Sequence, residues 1–283
     1  MKFFKKHKTA IADLGLLYSA AIWGSTFFIV KNSLDSIDPI VLVGYRFMLA
    51  AIILGVYLAA KKHNLFDKWK QGFILGFVLW LLYASQTIGL KFTTASNSGF
   101  ITGLFVVFVP FIGLFFKIRP TKHKIISVFI AITGLWLLTG GLYDINFGDM
   151  LTLIAALTYA IHILLADKYV KNCHPLVLSF QQFFTMGLLS FASAILFGLP
   201  FSVQSSGTVG IIIFLALFPS LSAFAIQLVA QKFTSPIKVA LIFTMEPVFA
   251  AVFAWTLGKE EFIMLRALGG LLIVAAMIIS EVK

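Results

Sequence analysis

Glu246 and Pro247 stand side by side in LIFTMEPVFAAVFAW (residues 241–255), a run whose one ionisable side chain is Glu246. A carboxyl group in such surroundings can hold a cationic or hydrogen-bonding ligand or carry a proton, because ionisable groups at membrane depth face a cavity or a partner. Pro247 has no N–H to offer the carbonyl of Phe243, four residues earlier, and so marks a weak point in a helix. The pair reads as a substrate or proton site beside a helix break. The competing reading is a structural glutamic acid bonded to a neighbouring helix. Pro110, in VPFIGLFF (109–116), is expected to make a second break.

Arg46 falls about 10 Å into its apolar run at ~1.5 Å of rise per residue. It could pair with Glu246, but a guanidinium snorkelling to the surface is the favoured expectation, for Arg46 and for Arg266 alike. His162 could shuttle protons or sit as a neutral imidazole on a backbone carbonyl. Asp167, beside Lys168, reads as interfacial. Trp23, Ser25, Thr26, Tyr83, Gln86, Asn97, Ser98, Thr102, Tyr159, Gln181, Gln182 and Gln227 add uncharged hydrogen-bonding groups. These can act as interhelical glue or line a moderately polar cavity.

Catalytic readings fare worse. Ser98 with His162 offers a nucleophile and a base, but Ser96 stands where a G-x-S-G context needs glycine. No mid-span aspartate pair, metal-ligand cluster or nucleotide-binding glycine loop is present in the sequence. Neither enzyme activity, cofactor nor metal is therefore expected. A passive channel or lipid scramblase is the alternative to a transporter, with an intramembrane hydrolase a distant third.

The elements that must position these groups follow from composition. Of 283 residues, 60% are hydrophobic and 12% charged, with a mean hydropathy of +1.00; soluble domains are nearer half apolar and a quarter charged. A bilayer core of about 30 Å needs ~20 apolar residues per helix. Ten such runs occur, near 11–30, 39–60, 70–90, 94–116, 123–141, 148–167, 175–198, 207–230, 235–258 and 262–281. The first lacks the cleavage region of a secretory signal. An all-α, polytopic membrane protein with ten transmembrane helices is expected, most naturally in a bacterial plasma (inner) membrane.

The net charge of +11 is unevenly placed: 17 of the 22 basic residues, from Lys2 to Lys283, fall on one set of loops and adjoining helix ends. Lys31, Lys91 and Lys259 fall on the other set. Positive charge marks the cytoplasmic side, so both termini are expected there. The charge thus reports topology and contact with anionic membrane lipids, not nucleic acid. The single cysteine, Cys173, rules out an intrachain disulfide.

The chain also matches itself. PIVLVGYRF (39–47) aligns with PLVLSFQQF (175–183), YASQTIGLKFT (83–93) with FAIQLVAQKFT (224–234), and VPFIGLFF with EPVFAAVF (246–253). Trp23 falls opposite Tyr159 and Gly134 opposite Gly270. Five spans per repeat is odd, so the second copy, 143–283, is expected upside down relative to the first, 1–142. Inverted repeats of this kind suit transporters that expose one site to alternate sides. GFILG (72–76) and GFITG (99–103) carry glycines four apart and predict close helix approach.

On AAIWGSTFF, YRFMLAAIIL, TASNSGFITGLFVVFVPF and above all SPIKVALIFTMEPVFAAVFAWTLGKEE, the whole chain resembles the drug/metabolite transporter superfamily, in its ten-span group of two EamA-type repeats. The resemblance implies a central cavity between the halves, alternating access, and export of amino acids, other metabolites or toxic compounds. It also implies cytoplasmic termini, as the charges do. His162, in LTYAIHILLADKY, departs from the pattern of relatives, and no role carries over to it. The expected partners are a small-molecule substrate and lipid, with protons a candidate coupling ion. Substrate and oligomeric state are not legible.

Overall fold

A computed structural model describes residues 2–139, 145–203, 205–256 and 262–279. Lys283 and the whole GKEE stretch (258–261), Lys259 included, lie outside the described residues, and with them part of the charge count above.

The first half contains α1 (Lys2–Gly24), α2 (Thr26–Ser33), α3 (Pro39–Ala60), α4 (Trp69–Gly89), α5 (Ala95–Gly103), α6 (Phe105–Gly113) and α7 (Lys122–Thr139). The second contains α8 (Phe147–Tyr169), α9 (Pro175–Leu196), α10 (Ser206–Leu215), α11 (Ala223–Ala230), α12 (Pro236–Phe243), α13 (Met245–Thr256) and α14 (Met264–Ile279). No strand occurs among the described residues.

Local chemistry sets the starts. Asp38 caps α3 by accepting from the N–H groups of Ile40 and Val41, with Pro39 at the first helical position. Pro175 opens α9 likewise; proline's fixed φ and missing donor cost nothing there. Thus the repeated P-I/L-V-L motif starts a helix in both halves, and these two helices pack along each other. Asn146 and Asp149 close a reciprocal capping box on α8. Thr94, Ser205 and Ser235 cap α5, α10 and α12 through side-chain oxygens.

Among the described residues, eight helical segments are long and apolar enough to cross a membrane, several of them built from two shorter helices in line. Their outward face is apolar, with Phe28 68%, Phe115 88% and Leu196 78% exposed, a surface suited to lipid rather than water. The expectation of ten spans is met only that far. Expected spans five and ten correspond to α7, which opens on Lys122, His123 and Lys124, and α14, described over 16 residues. The two pack against each other, where a Cβ on Gly134 would stand 2.7 Å from the carbonyl oxygen of Gly269.

Three of the segments break. α1 gives way to α2 at Ser25, α5 to α6 at Leu104, and α12 to α13 at Thr244. Pro247 therefore lies in the first turn of α13, with the break just before it. Pro110 does not break its segment as expected: it stays inside α6, and the break lies six residues earlier. A fourth irregularity is a π-helical turn, Ala216–Ser222, with Pro219 inside it, between α10 and α11.

The glycine pairs split in outcome. Gly72 and Gly76 seat α4 directly on Gln181, Gln182 and Thr185 of α9, whereas a Cβ on Gly99 would meet nothing within 4 Å. GFITG thus does not bring helices together at Gly99, although Gly103 does abut Leu135.

Candidate functional site

The three breaks and the π turn converge on one space. Trp23 from α1, Thr26, Phe27 and Val30 from α2, and Arg46 from α3 form one part of its wall. Leu82, Tyr83, Gln86, Thr87 and Leu90 from α4, with Thr102 from α5, form another. Tyr159 from α8, Phe224 from α11 and Glu246 from α13 complete it. The cavity has a volume of about 30 Å³. That is room for ordered water, so a metabolite would need the walls to part.

Glu246 is 7% exposed and occupies the first turn of α13. Gly24, at the end of α1, makes this approach feasible: a Cβ there would collide with the carbonyl oxygen of Glu246. The α1–α2 break is thereby seated on the start of α13.

Arg46 does not snorkel. It is 3% exposed, and its guanidinium carbon lies 4.9 Å from the ring centroids of both Phe47 and Tyr83. Its Nε donates to Ser220 Oγ at 2.9 Å, while Nη2 has no partner. Each ring returns about 2 kcal/mol to a desolvated cation, against a desolvation cost of several kcal/mol. Among the described residues no ion pair joins Arg46 to Glu246, although both line the same cavity.

The wall is tied together by hydrogen bonds. Trp23 Nε1 donates to the carbonyl of Pro219 at 2.7 Å, and Gln86 Nε2 donates to Thr102 Oγ1 at 2.9 Å. Thr26 Oγ1 donates to the Trp23 carbonyl across the α1–α2 break. Trp23 and Tyr159, opposite each other in the repeat, meet edge to face at 6.2 Å.

One end of the cavity is floored by aromatic rings. Phe224 contacts Trp23, Phe47, Tyr83 and Phe183 at 4.8–6.2 Å. Beyond this floor lies a second polar layer. His162 Nε2 donates to Gln182 Oε1 (3.0 Å), rather than to a backbone carbonyl, and Gln227 Nε2 donates to Gln231 Oε1 (3.2 Å). His162, Gln182 and Gln227 therefore do not line the cavity.

Past that layer the helix ends are bound to one another. Gln181 Nε2 donates to the carbonyls of Leu65 and Asp67, Lys68 donates to the carbonyl of Asn172, and the His63 and His174 rings lie 4.7 Å apart. Burial first, then the charges of His63 and Lys232, holds the His174 imidazole below its ordinary range. Burial pushes the neighbouring Cys173 thiol up.

Of the residues singled out in the sequence, Trp23, Thr26, Arg46, Tyr83, Gln86, Thr102, Tyr159 and Glu246 meet at the cavity. Ser25 is spent on the Ile22 carbonyl at the break, and the N–H of Asn97 is held by the Thr94 cap. Ser98 Oγ and His162 Nδ1 each lack a partner, so the two form no nucleophile–base pair. Asp167 is 6% exposed and paired with Lys171 at 2.7 Å, so it is a buried rather than an open interfacial residue. Pro219, Ser220 and Gly24 went unnoticed. For Pro219 and Ser220 the signal was available, since FPS interrupts an apolar run as MEP does. Phe27, Val30, Leu82, Leu90 and Phe224 carried no signal, because apolar residues lining a cavity read like any others.

A multi-pass, all-helical membrane protein with a small cavity of mixed polar and aromatic lining inside its bundle belongs with membrane transporters, and the comparisons agree. The model of the EamA-like transporter family matches twice, at residues 10–140 and 146–281. The chain belongs to that family. An uncharacterized transporter of Archaeoglobus fulgidus is 34% identical over 98% of this chain and 87% of its own length. The uncharacterized inner membrane transporter YedA of Escherichia coli K12 is 25% identical over 84% of this chain and 80% of its own length. A solved crystal structure superposes with a TM-score of 0.80 over 96% of both chains at 15% identity, which speaks to the fold.

Proposed function

We propose that the protein is a secondary active transporter that exports a small metabolite, such as an amino acid, a related compound or a toxic molecule, by alternating access. The observation that carries this reading is the cavity inside the bundle. It gathers Arg46, Glu246, Trp23, Tyr83 and Tyr159 from both family-matched segments into one buried site.

The reading includes ten spans as two inverted five-helix repeats, 1–142 and 143–283, with both termini cytoplasmic. On that topology, the aromatic floor and the His63–His174 end close the site from the cytoplasm in this conformation. Paired half-helices supply the moving parts, because a broken helix can tilt about its break without disturbing either half. Glu246 contacts substrate or carries the coupling proton. The cavity has little room for a metabolite in this state, which suits an occluded or resting conformer better than an open channel.

The test compares metabolites inside and outside cells that express wild type, Glu246→Gln or vector alone. A compound accumulating outside only with wild type supports export and a working role for Glu246. Equal export by the variant refutes that role, and no change with either folded protein refutes the exporter reading.

A further inference from the structure

We propose that Arg46, aimed by Ser220, is an anion subsite of the cavity that takes the carboxylate of the transported molecule. This rests on the transporter reading and adds to it the chemistry of one end of the substrate.

The argument begins with an electrostatic deficit. A guanidinium stays charged under all protein conditions, and Arg46 is 97% buried with, among the described residues, no carboxylate within ion-pair distance. Structural buried arginines have their charge matched by an acidic partner; a removed partner leaves an uncompensated ion. Here the Phe47 and Tyr83 rings pack against the guanidinium from one side, their centroids 4.9 Å from its carbon and 4.9 Å from each other. Hydrogen bonding is left to the edge of the plane. Ser220 occupies Nε, and Nη2 is unpartnered. Since Arg46 forms part of the cavity wall, an arriving carboxylate would meet the planar fork that arginine offers in bidentate pairing.

Ser220 is a positioning residue. It is fully buried and does not line the cavity, so it acts through Arg46. The π turn gives it this place. Pro219 has no N–H, and the widened turn directs its carbonyl to Trp23 Nε1 while the next residue's hydroxyl meets Arg46 Nε. π turns of this kind often occur at functional sites. Two neighbouring wall residues of the first half are thus aimed by consecutive residues of the second. Ser222 and Ala223 receive Tyr18 and Ser19 just beyond, so the turn is a continuous seat for α1 and α3.

The chain has only three arginines, Arg46, Arg119 and Arg266, which makes a direct measurement practical. Protein labelled with [15N]arginine and purified in detergent gives three Nε–Hε resonances, with Arg46 assigned through Arg46→Lys. Sodium acetate is titrated against sodium chloride at matched ionic strength. In the wild type, acetate is expected to shift the Arg46 resonance saturably and leave the other two in place. Ser220→Ala should weaken the acetate response at least tenfold and speed exchange of the Arg46 Hε. Ser220→Thr, which keeps the hydroxyl, should stay within about twofold of wild type. Matching thermal midpoints of the three proteins separate positioning from misfolding. A wild-type Arg46 signal that ignores acetate overturns the subsite, and an unchanged titration in Ser220→Ala overturns the positioning role. An exported compound without an acidic group overturns the carboxylate assignment while the transporter reading stands. Acetate binding at Arg46 with no exported compound does the reverse.

Discussion

Two alanine substitutions at glycines should have opposite effects, and the geometry sets the size of the difference. Gly76→Ala would place a Cβ 2.5 Å from Thr185 Cβ, 2.8 Å from the Gln182 carbonyl oxygen and 3.0 Å from Gln182 Cα. Ordinary contacts begin near 3.4 Å, so α4 and α9 must separate by roughly an ångström, and two of the three obstructing atoms are backbone. Overpacking of this kind costs about 1–3 kcal/mol. Gly99→Ala adds the same methyl group where nothing lies within 4 Å. Both sites are helical, and exchanging glycine for alanine in a helix gains about 0.5–1 kcal/mol in each. That gain cancels in the comparison, leaving a gap of about 1–3 kcal/mol with Gly76→Ala the less stable. Thermal unfolding of the two variants and wild type in one detergent reads the order directly: Gly99→Ala at or above wild type, Gly76→Ala below it. A Gly76→Ala protein as stable as Gly99→Ala would refute the tight α4–α9 seam, and with it the reasoning that places the halves in contact there.

Asn146→Ala removes one half of the capping box at the start of α8 and should lower stability by about 1 kcal/mol, seen as a lower unfolding midpoint with Asn146→Ser closer to wild type. Cys173, the only cysteine, is 9% exposed with its thiol pKa pushed up by burial, which reduces the reactive thiolate at neutral pH. Maleimide labelling of the native protein should therefore be slower than that of the denatured chain, and faster in Gln181→Ala, which loses the bonds to Leu65 and Asp67 that hold this end closed.

The parts of the fold legible in the sequence were those fixed by short-range chemistry. The apolar runs at 39–60 and 175–198 correspond closely to Pro39–Ala60 and Pro175–Leu196, because a proline and a hydrophobic run define each helix on their own. The helices α7 and α14 also fall on expected runs, 123–141 and 262–281, and only their length and apolarity as spans differ from expectation. The breaks at Ser25, Leu104 and Thr244 depend on tertiary seating, as when Gly24 rests against the backbone of Glu246. Gly103 stands next to the break at Leu104 but reads as a packing glycine, and Pro110 misled in its stead. At the site, polar residue types identified eight wall positions. The burial of Arg46 was invisible because Tyr83 and Ser220, which hold it, come from separate segments, and a lone arginine near a helix end reads as snorkelling. Both readings of His162, proton shuttle and backbone-bonded imidazole, overlooked Gln182 for the same reason: nothing near it in sequence points there.

The central claim is that the cavity lined by Arg46 and Glu246 carries a substrate through alternating access. It is tested most directly in proteoliposomes, by following flux of the compound that the metabolite comparison identifies. The account predicts saturable flux that accumulates the compound against its own gradient when a proton gradient is imposed, and that is lost in Glu246→Gln. Flux that rises linearly with concentration and never exceeds equilibrium would contradict it and identify a passive pore.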